Sequence, residues 1–180
     1  RLGPIGFSDF SEVDEKKFAE SGNVGILDLV AGLKWVHNNI AQFGGDPSNV
    51  TIMGQSGGGA KVCTLVAMAE TKGLLHKAVA LSGNITGAID NNYSTELGKY
   101  ILKEAGLPPS QINKLQEIPW LDYIVLANRA AAKYDKQLGG NGMMLWVMAS
   151  TSRWIHFIPI RKLPRPMSPC YSAPLHASSP

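Results

Sequence analysis

Long apolar runs and cysteines are both scarce in this sequence. No stretch of the 180 residues approaches the roughly 20 consecutive apolar residues that a membrane-spanning helix needs, so we expect no membrane span. Only two cysteines are present. Cys63 falls in a predicted helix and Cys170 in a proline-rich segment far along the chain, so they form no disulfide framework. We expect both thiols to be reduced.

An excess of charge of one sign is also absent from most of the chain. Residues 1–150 hold 13 basic and 14 acidic side chains, whereas residues 151–180 hold four basic side chains and no acid. The formal net charge of +3 is therefore a property of the last residues. A nucleic-acid surface needs basic residues clustered on a folded face, so we expect no nucleic-acid partner.

Composition divides the chain into two parts. Hydrophobic residues make up 44% of the sequence and charged residues 17%, which is ordinary for a domain with its own core. Six of the 11 prolines lie after residue 149, where no periodic pattern continues. We expect one folded domain over residues 1–149 and an irregular, disordered, basic tail over residues 150–180.

The order of apolar patterns predicts an α/β fold. Residues 1–7 are predicted to be the end of a strand, and residues 8–20 a polar surface excursion. The other predicted elements are strands at 50–53 and 78–81, the second fully buried, and helices at 23–43, 61–69, 94–105, 110–118 and 120–133. Strand, helix and strand indicate a parallel βαβ core over residues 1–83, followed by a helical insertion over residues 84–149.

The segment Gly54-Gln55-Ser56-Gly57-Gly58 lies between the first predicted strand of this core and the next helix. A G-x-S-x-G segment at a strand-to-helix turn holds its serine in a strained conformation with the hydroxyl exposed. We expect the flanking glycines to be required, because a side chain there would strike the neighbouring strand or helix. The turn also places the Gly57 N–H at a helix N-terminus, which favours a developing oxyanion. The segment predicts a hydrolytic nucleophile at Ser56, with a purely structural glycine-rich turn as the alternative.

Two nucleotide-binding motifs fail on spacing. A phosphate-binding loop, G-x-x-x-x-G-K-[ST], begins well at Gly54 and Gly59, but Lys61 comes one residue late and Val62 stands where a hydroxyl is needed. A dinucleotide fingerprint that uses the glycines at 57–59 would need a third glycine at position 62. Neither motif is satisfied.

Several segments resemble one enzyme family in the same order along the chain. They are Asn23-Val24-Gly25-Ile26-Leu27-Asp28, Phe43-Gly44-Gly45-Asp46-Pro47, Asn49-Val50-Thr51 and the segment around Ser56. They resemble the type-B carboxylesterases, the cholinesterase-like branch of the α/β-hydrolases, and in particular its bacterial members. The resemblance implies a partial α/β-hydrolase fold and a hydrolase of small-molecule carboxylic esters that acts through a serine acyl-enzyme, with no cofactor and no metal.

The resemblance also implies roles for three residues. Ser56 would be the nucleophile, the Gly57 N–H an oxyanion donor, and Gly58 a substrate contact. The family's other oxyanion donors precede the position of Arg1, and its triad acid and histidine follow the nucleophile beyond the end of this chain. We therefore expect the chain to be a fragment.

Candidates for the missing base are few. His37 and His76 are expected to be structural. His156 is the candidate base and His176 the alternative, since both follow the nucleophile in chain order. Acids that could orient either histidine are Asp90, Asp122 and Asp135.

Two functions follow from this pattern. The first is ester hydrolysis through Ser56. The alternative is a catalytically impaired or non-catalytic domain of the same fold that serves in interactions, as in the cholinesterase-like adhesion proteins. Because the predicted sheet has only about three strands, its unpaired edges should promote association. We expect self-association through these edges.

Overall fold

The computed structural model describes residues 1–83 and 91–138. Their helices are α1 (Pro4–Phe7), α2 (Glu15–Phe18), α3 (Val24–Asn39), α4 (Gly57–Ala67), α5 (Asn91–Glu104) and α6 (Trp120–Leu138). Their strands are β1 (Thr51–Gln55) and β2 (Lys77–Leu81), and short 3-10 helices occupy Ser21–Asn23, Ile40–Phe43, Ala69–Thr71 and Pro109–Glu117. Within the described residues, no helix combines the length and the apolar character that crossing a bilayer requires. The tail predicted over residues 150–180 lies outside them.

Contacts between residues divide the chain into two compact units. Among the described residues, the first unit contains Arg1–Gly25 and residues 91–138, and the second contains residues 26–83. The first unit is helical, and both strands belong to the second.

One apolar cluster holds the first unit together, mainly where α5 packs on α6. Both helices repeat apolar residues every three or four positions, so each presents one apolar stripe. Ile101 of α5 and Ala127 of α6 are completely buried. The buried members of the cluster are Phe10, Leu97, Ile101, Leu102, Ile112, Leu115, Ala127, Ala130, Ala131 and Tyr134. The three predicted helices of this region are confirmed, although the middle one is a 3-10 helix.

The beginning of the chain differs from the sequence-based prediction. A helix, α1, replaces the expected strand end, because Pro4 carries the φ angle that suits a first helical turn. Ser8 and Phe10 are buried, although a surface excursion was expected. The Ser8 hydroxyl donates to the Pro4 carbonyl at 2.7 Å and accepts from the Tyr123 hydroxyl at 2.8 Å. These bonds satisfy the polar atoms on burial, and burial also raises the pKa of Tyr123 to about 12.

The second unit contains the predicted βαβ core. β1 and β2 pair in parallel, with Thr51 opposite Lys77 and Gln55 opposite Leu81, and α4 packs on both strands. The parallel pairing is therefore confirmed. The expected full burial of the second strand is wrong, since Ala80 alone of the β2 residues is buried. Among the described residues the sheet has only these two strands, so β2 has one neighbouring strand there, whereas a central parallel strand is buried between two neighbours and two facing layers.

The C-terminal end of α4 is closed by a buried threonine. The Thr71 hydroxyl lies 2.5 Å from the Leu65 carbonyl and 2.9 Å from the Met68 carbonyl, and it donates to both. Thr71 is only 3% exposed. Carbonyls at the end of a helix have no partner further along the helix. The Leu65 carbonyl also accepts from the Met68 N–H at 3.3 Å, and the Thr71 hydroxyl adds a donor at this helix end.

Candidate functional site

Ser56 is the single residue between the end of β1 and the start of α4. Its backbone has φ 54° and ψ −121°, a region that residues with a side chain rarely occupy. The residue is exposed, and its side chain makes no capping hydrogen bond to α4. The strained turn and the exposed serine predicted from the sequence are both confirmed. The hydroxyl is thus available to react with a small molecule.

The turn is held between the end of β2 and the start of α4. The Ser56 N–H donates to the Leu81 carbonyl at 2.8 Å. A Cβ on Gly54 would lie 2.3 Å from the carbonyl carbon and oxygen of Gly58, and a Cβ on Gly83 would lie 1.8 Å from the Ser56 carbonyl oxygen. Close backbone approach therefore requires glycine at positions 54 and 83. Gly83 was not singled out from the sequence, although it follows an apolar strand as Gly54 does.

Gly58 does not have the steric role expected from the motif. A Cβ at this position would meet no described atom within 4 Å. The crowded position is the next one, since a Cβ on Gly59 would lie 3.1 Å from both the Leu81 carbonyl oxygen and the Gly83 Cα. The reason is the direction of the helix: Gly58 faces away from the strands, whereas Gly59 faces them.

The N-terminus of α4 supplies unpaired donors beside the serine. The Ala60 N–H is the first to bond within the helix, to the Ser56 carbonyl at 3.1 Å, so the N–H groups of residues 57–59 have no intrahelical partner. One turn further along α4, the Lys61 ammonium donates to the Gly57 carbonyl at 3.2 Å. Burial lowers the pKa of Lys61. The donors and the helix dipole together favour an anion next to Ser56.

A second serine with unusual backbone geometry leaves the sheet next to Ser56. Ser82 has φ 50°, is exposed and follows Leu81, the register partner of Gln55. Carboxyl ends of neighbouring parallel strands meet at one edge of a sheet, where ligands of α/β proteins bind. Sequence reasoning missed Ser82, and the available signal was a Ser-Gly pair directly after an apolar strand.

Of the described histidines, His76 lies at the starts of the strands, opposite to the edge that holds Ser56. The Nδ1 atom of His76 accepts a hydrogen bond from the Val50 N–H at 3.2 Å, which ties together the starts of the two strands. A rise of about 3.3 Å per residue places this ring roughly 20 Å from Ser56. His37 is exposed near the end of α3. The candidate base, His156, lies outside the described residues, as does His176.

One of the acids that could orient a catalytic histidine already accepts a hydrogen bond elsewhere. Asp135 is 6% exposed and accepts a hydrogen bond from the Tyr93 hydroxyl in the helical unit. Asp122 lies in the first turn of α6, where its charge complements the helix dipole. Asp90 lies outside the described residues. Within the part of the chain that the structure describes, no cluster of His, Cys, Asp or Glu side chains could hold a metal ion.

The chain is similar in sequence to known proteins. Residues 1–134 match the carboxylesterase family. The chain belongs to this family. Over 129 residues it is 39% identical to the para-nitrobenzyl esterase of Bacillus subtilis (strain 168), a match that covers 72% of this chain and 26% of that protein. It is 48% identical over 94 residues to human carboxylesterase 3, covering 51% of this chain and 16% of the relative.

Solved structures of the family share the fold of this chain. A thermophilic pNB esterase superposes with a TM-score of 0.67 at 38% identity, covering 78% of this chain and 28% of that one. The resemblance to type-B carboxylesterases and the partial α/β-hydrolase fold are thereby confirmed. The chain spans about a quarter of the length of the para-nitrobenzyl esterase.

Proposed function

We propose that this chain carries the nucleophile of a carboxylic-ester hydrolase and that Ser56 forms the acyl-enzyme. The observation that carries the proposal is the conformation of Ser56, which holds an exposed, uncapped hydroxyl in a strained backbone at the N-terminus of α4. The names of the relatives also favour hydrolysis over the alternative of a non-catalytic interaction domain, because para-nitrobenzyl esterase and carboxylesterase 3 are both esterases by name.

The proposed reaction uses the groups at the start of α4. Ser56 Oγ attacks the ester carbonyl carbon, and the carbonyl oxygen, now negative, accepts a hydrogen bond from the Gly57 N–H. Collapse of this intermediate expels the alcohol and leaves the acyl group on Ser56, and water then releases the acid. We assign Gly58 to substrate contact, because its N–H is the next unpaired donor along the helix. In comparable sites a single oxyanion donor contributes about 10²–10³-fold to kcat.

A base must accept the Ser56 proton for this attack to be fast at neutral pH. We assign that role to His156, which follows the nucleophile in chain order as the base of α/β-hydrolases does. His76 does not suit the role, since its Nδ1 is bonded to the Val50 N–H at the opposite end of the strands.

Labelling with a fluorophosphonate probe tests the nucleophile. The wild-type chain should react covalently and lose reactivity in Ser56→Ala, whereas Ser82→Ala, a change at the neighbouring strained serine, should still be labelled. Turnover of p-nitrophenyl acetate should follow the same order. Equal labelling of wild type and Ser56→Ala would refute the assignment, and loss of labelling in Ser82→Ala alone would move the nucleophile to Ser82.

A second pair of variants tests the base. His156→Ala should slow labelling of Ser56 by at least about 10²-fold, and His176→Ala should leave the rate unchanged. If both variants react at the wild-type rate, His156 is not the base, while the assignment of Ser56 would still stand on the first experiment.

A further inference from the structure

The starts of β1 and β2 are joined by a histidine side chain as well as by backbone. The Val50 carbonyl accepts from the His76 N–H at 2.9 Å and from the Lys77 N–H at 3.2 Å. The Val50 N–H donates to Nδ1 of the His76 ring at 3.2 Å. Backbone carbonyls are the usual acceptors along a parallel ladder, so at this position an imidazole nitrogen replaces a carbonyl.

The contact between the ring and the strand requires a neutral imidazole. A ring nitrogen accepts a hydrogen bond only while it carries no proton, so the contact assigns the proton of the neutral ring to Nε2. Both nitrogens of an imidazolium are donors. Protonation would therefore set the Nδ1–H of His76 against the Val50 N–H, and the hydrogen bond would be lost. Histidine ordinarily changes its charge near pH 6.5, within about pH 5–8.

A carboxylate for the protonated ring lies in the turn before β1. Oδ1 of Asp46 accepts from the Ser48 N–H at 2.8 Å and from the Ser48 hydroxyl at 2.7 Å. These hydrogen bonds lower the pKa of Asp46, and the positive charge of His76 lowers it further. The carboxylate is thus ionised wherever histidine titrates, and it is close enough to the ring for an electrostatic interaction.

Other charged side chains lie on the segments that carry the ring. Lys77 follows His76 directly, and its ammonium donates to the side-chain oxygen of Asn49 at 2.9 Å. Glu70 and Lys72, one of each sign, precede the ring in the connection between α4 and β2. The charges of Lys77 and of the Glu70 and Lys72 pair leave Asp46 as the acid that the structure couples to the ring.

We propose that His76 is a pH switch at the start of the strand that leads to Ser56. Above about pH 7 the neutral ring holds the Val50 N–H, and below about pH 6 the charged ring turns toward the Asp46 carboxylate and releases it. The Val50 carbonyl keeps both of its backbone donors in either state. β1 therefore stays paired with β2 at acid pH, but its start is held by one hydrogen bond fewer.

Amide hydrogen exchange followed by NMR tests the switch. The protection factor of the Val50 N–H, which corrects for the intrinsic pH dependence of exchange, should fall about three- to tenfold from about pH 8 to about pH 5, as expected for one lost hydrogen bond. The Ser56 N–H is the internal control, because it donates to the Leu81 carbonyl, which does not titrate. The ratio of the two protection factors should change with the same midpoint as the ring nitrogens of His76.

Three variants separate the ring from its surroundings. In His76→Asn the side-chain oxygen takes the position of Nδ1 and does not titrate, so the Val50 N–H should stay protected at both pH values. His37→Asn removes the exposed histidine of α3 and should leave the wild-type response unchanged. Asp46→Asn keeps an acceptor for Ser48 but removes the charge that attracts an imidazolium, so the midpoint should move to lower pH.

Four results would overturn the proposal. They are a Val50-to-Ser56 ratio that is independent of pH in the wild-type chain, a response that persists in His76→Asn, a response that disappears in His37→Asn, and an unchanged midpoint in Asp46→Asn. The first needs no variant, so a substitution that fails to fold leaves the test intact. Ester hydrolysis is not measured in any of these experiments, so their failure is distinct from failure of the proposed function.

Discussion

Gly54 and Gly58, the two outer glycines of the motif around Ser56, should respond oppositely to the same substitution. In Gly54→Ala the new Cβ would lie 2.3 Å from the carbonyl carbon and oxygen of Gly58 and 2.9 Å from the Gly59 nitrogen. Ordinary carbon contacts begin at about 3.5 Å, so α4 would have to retreat by about 1 Å from β1. The atoms it meets are backbone, and no change of rotamer can relieve the overlap. We expect Gly54→Ala to lower the free energy of unfolding by about 3–5 kcal/mol.

Gly58→Ala is the matched control four residues later. A Cβ there meets no described atom within 4 Å, and the φ angle is not positive. Alanine in a helix is favoured over glycine by about 0.5–1 kcal/mol, so this variant should be slightly more stable than wild type.

Thermal unfolding followed by circular dichroism measures both effects. At about 2–4 °C per kcal/mol, Gly54→Ala should lower Tm by roughly 6–20 °C, whereas Gly58→Ala should raise it by about 1–4 °C. A Gly54→Ala variant within about 2 °C of wild type would show that the turn tolerates a Cβ. A Gly58→Ala variant as unstable as Gly54→Ala would show that the helix start is crowded on both sides.

Two further substitutions probe the scaffold. Thr71→Val keeps the shape but removes the hydroxyl that bonds two carbonyls at the end of α4, so the free energy of unfolding should fall by about 1–2 kcal/mol in urea titrations, and an unchanged midpoint would contradict the capping role. The Lys133 ammonium lowers the pKa of Glu104. A carboxyl group whose pKa is lower in the folded than in the unfolded state stabilises the fold at pH values above the unfolded-state pKa, and this contribution is lost as the pH falls through the folded-state pKa. The gap in urea midpoint between wild type and Glu104→Gln should therefore be present at pH 7 and close as pH falls below about 4.3; a gap that persists at pH 3 would show that the ion pair is not its cause.

The local sequence pattern was sufficient to predict most of the secondary structure of the second unit. The change from a strand to a helical pattern around Ser56 located β1 and α4, and the strand order implied the parallel pairing with β2. The strained serine followed from a five-residue motif because its geometry is set by adjacent backbone.

Features that depend on distant partners were not predictable from the sequence in the same way. Ser8 has a polar side chain in a polar stretch, and its burial depends on Tyr123, which is 115 positions away. The requirement for glycine at position 83 depends on the approach of β2 to the Ser56 carbonyl, and the freedom at Gly58 depends on which side of α4 faces the strands. The periodicity of one segment contains no information about which distant segments pack against it.

The backbone angles of Ser56 also have a consequence for how such a chain changes under selection. A side chain in a disfavoured φ/ψ region costs about 1–3 kcal/mol, a large fraction of the about 5–15 kcal/mol that keeps a typical domain folded. Glycine could adopt φ 54° at this position with far less strain. A screen that rewards heat resistance or cellular abundance alone would therefore favour glycine here and remove the reactive group. Thermostable descendants would have to be selected for turnover at the same time.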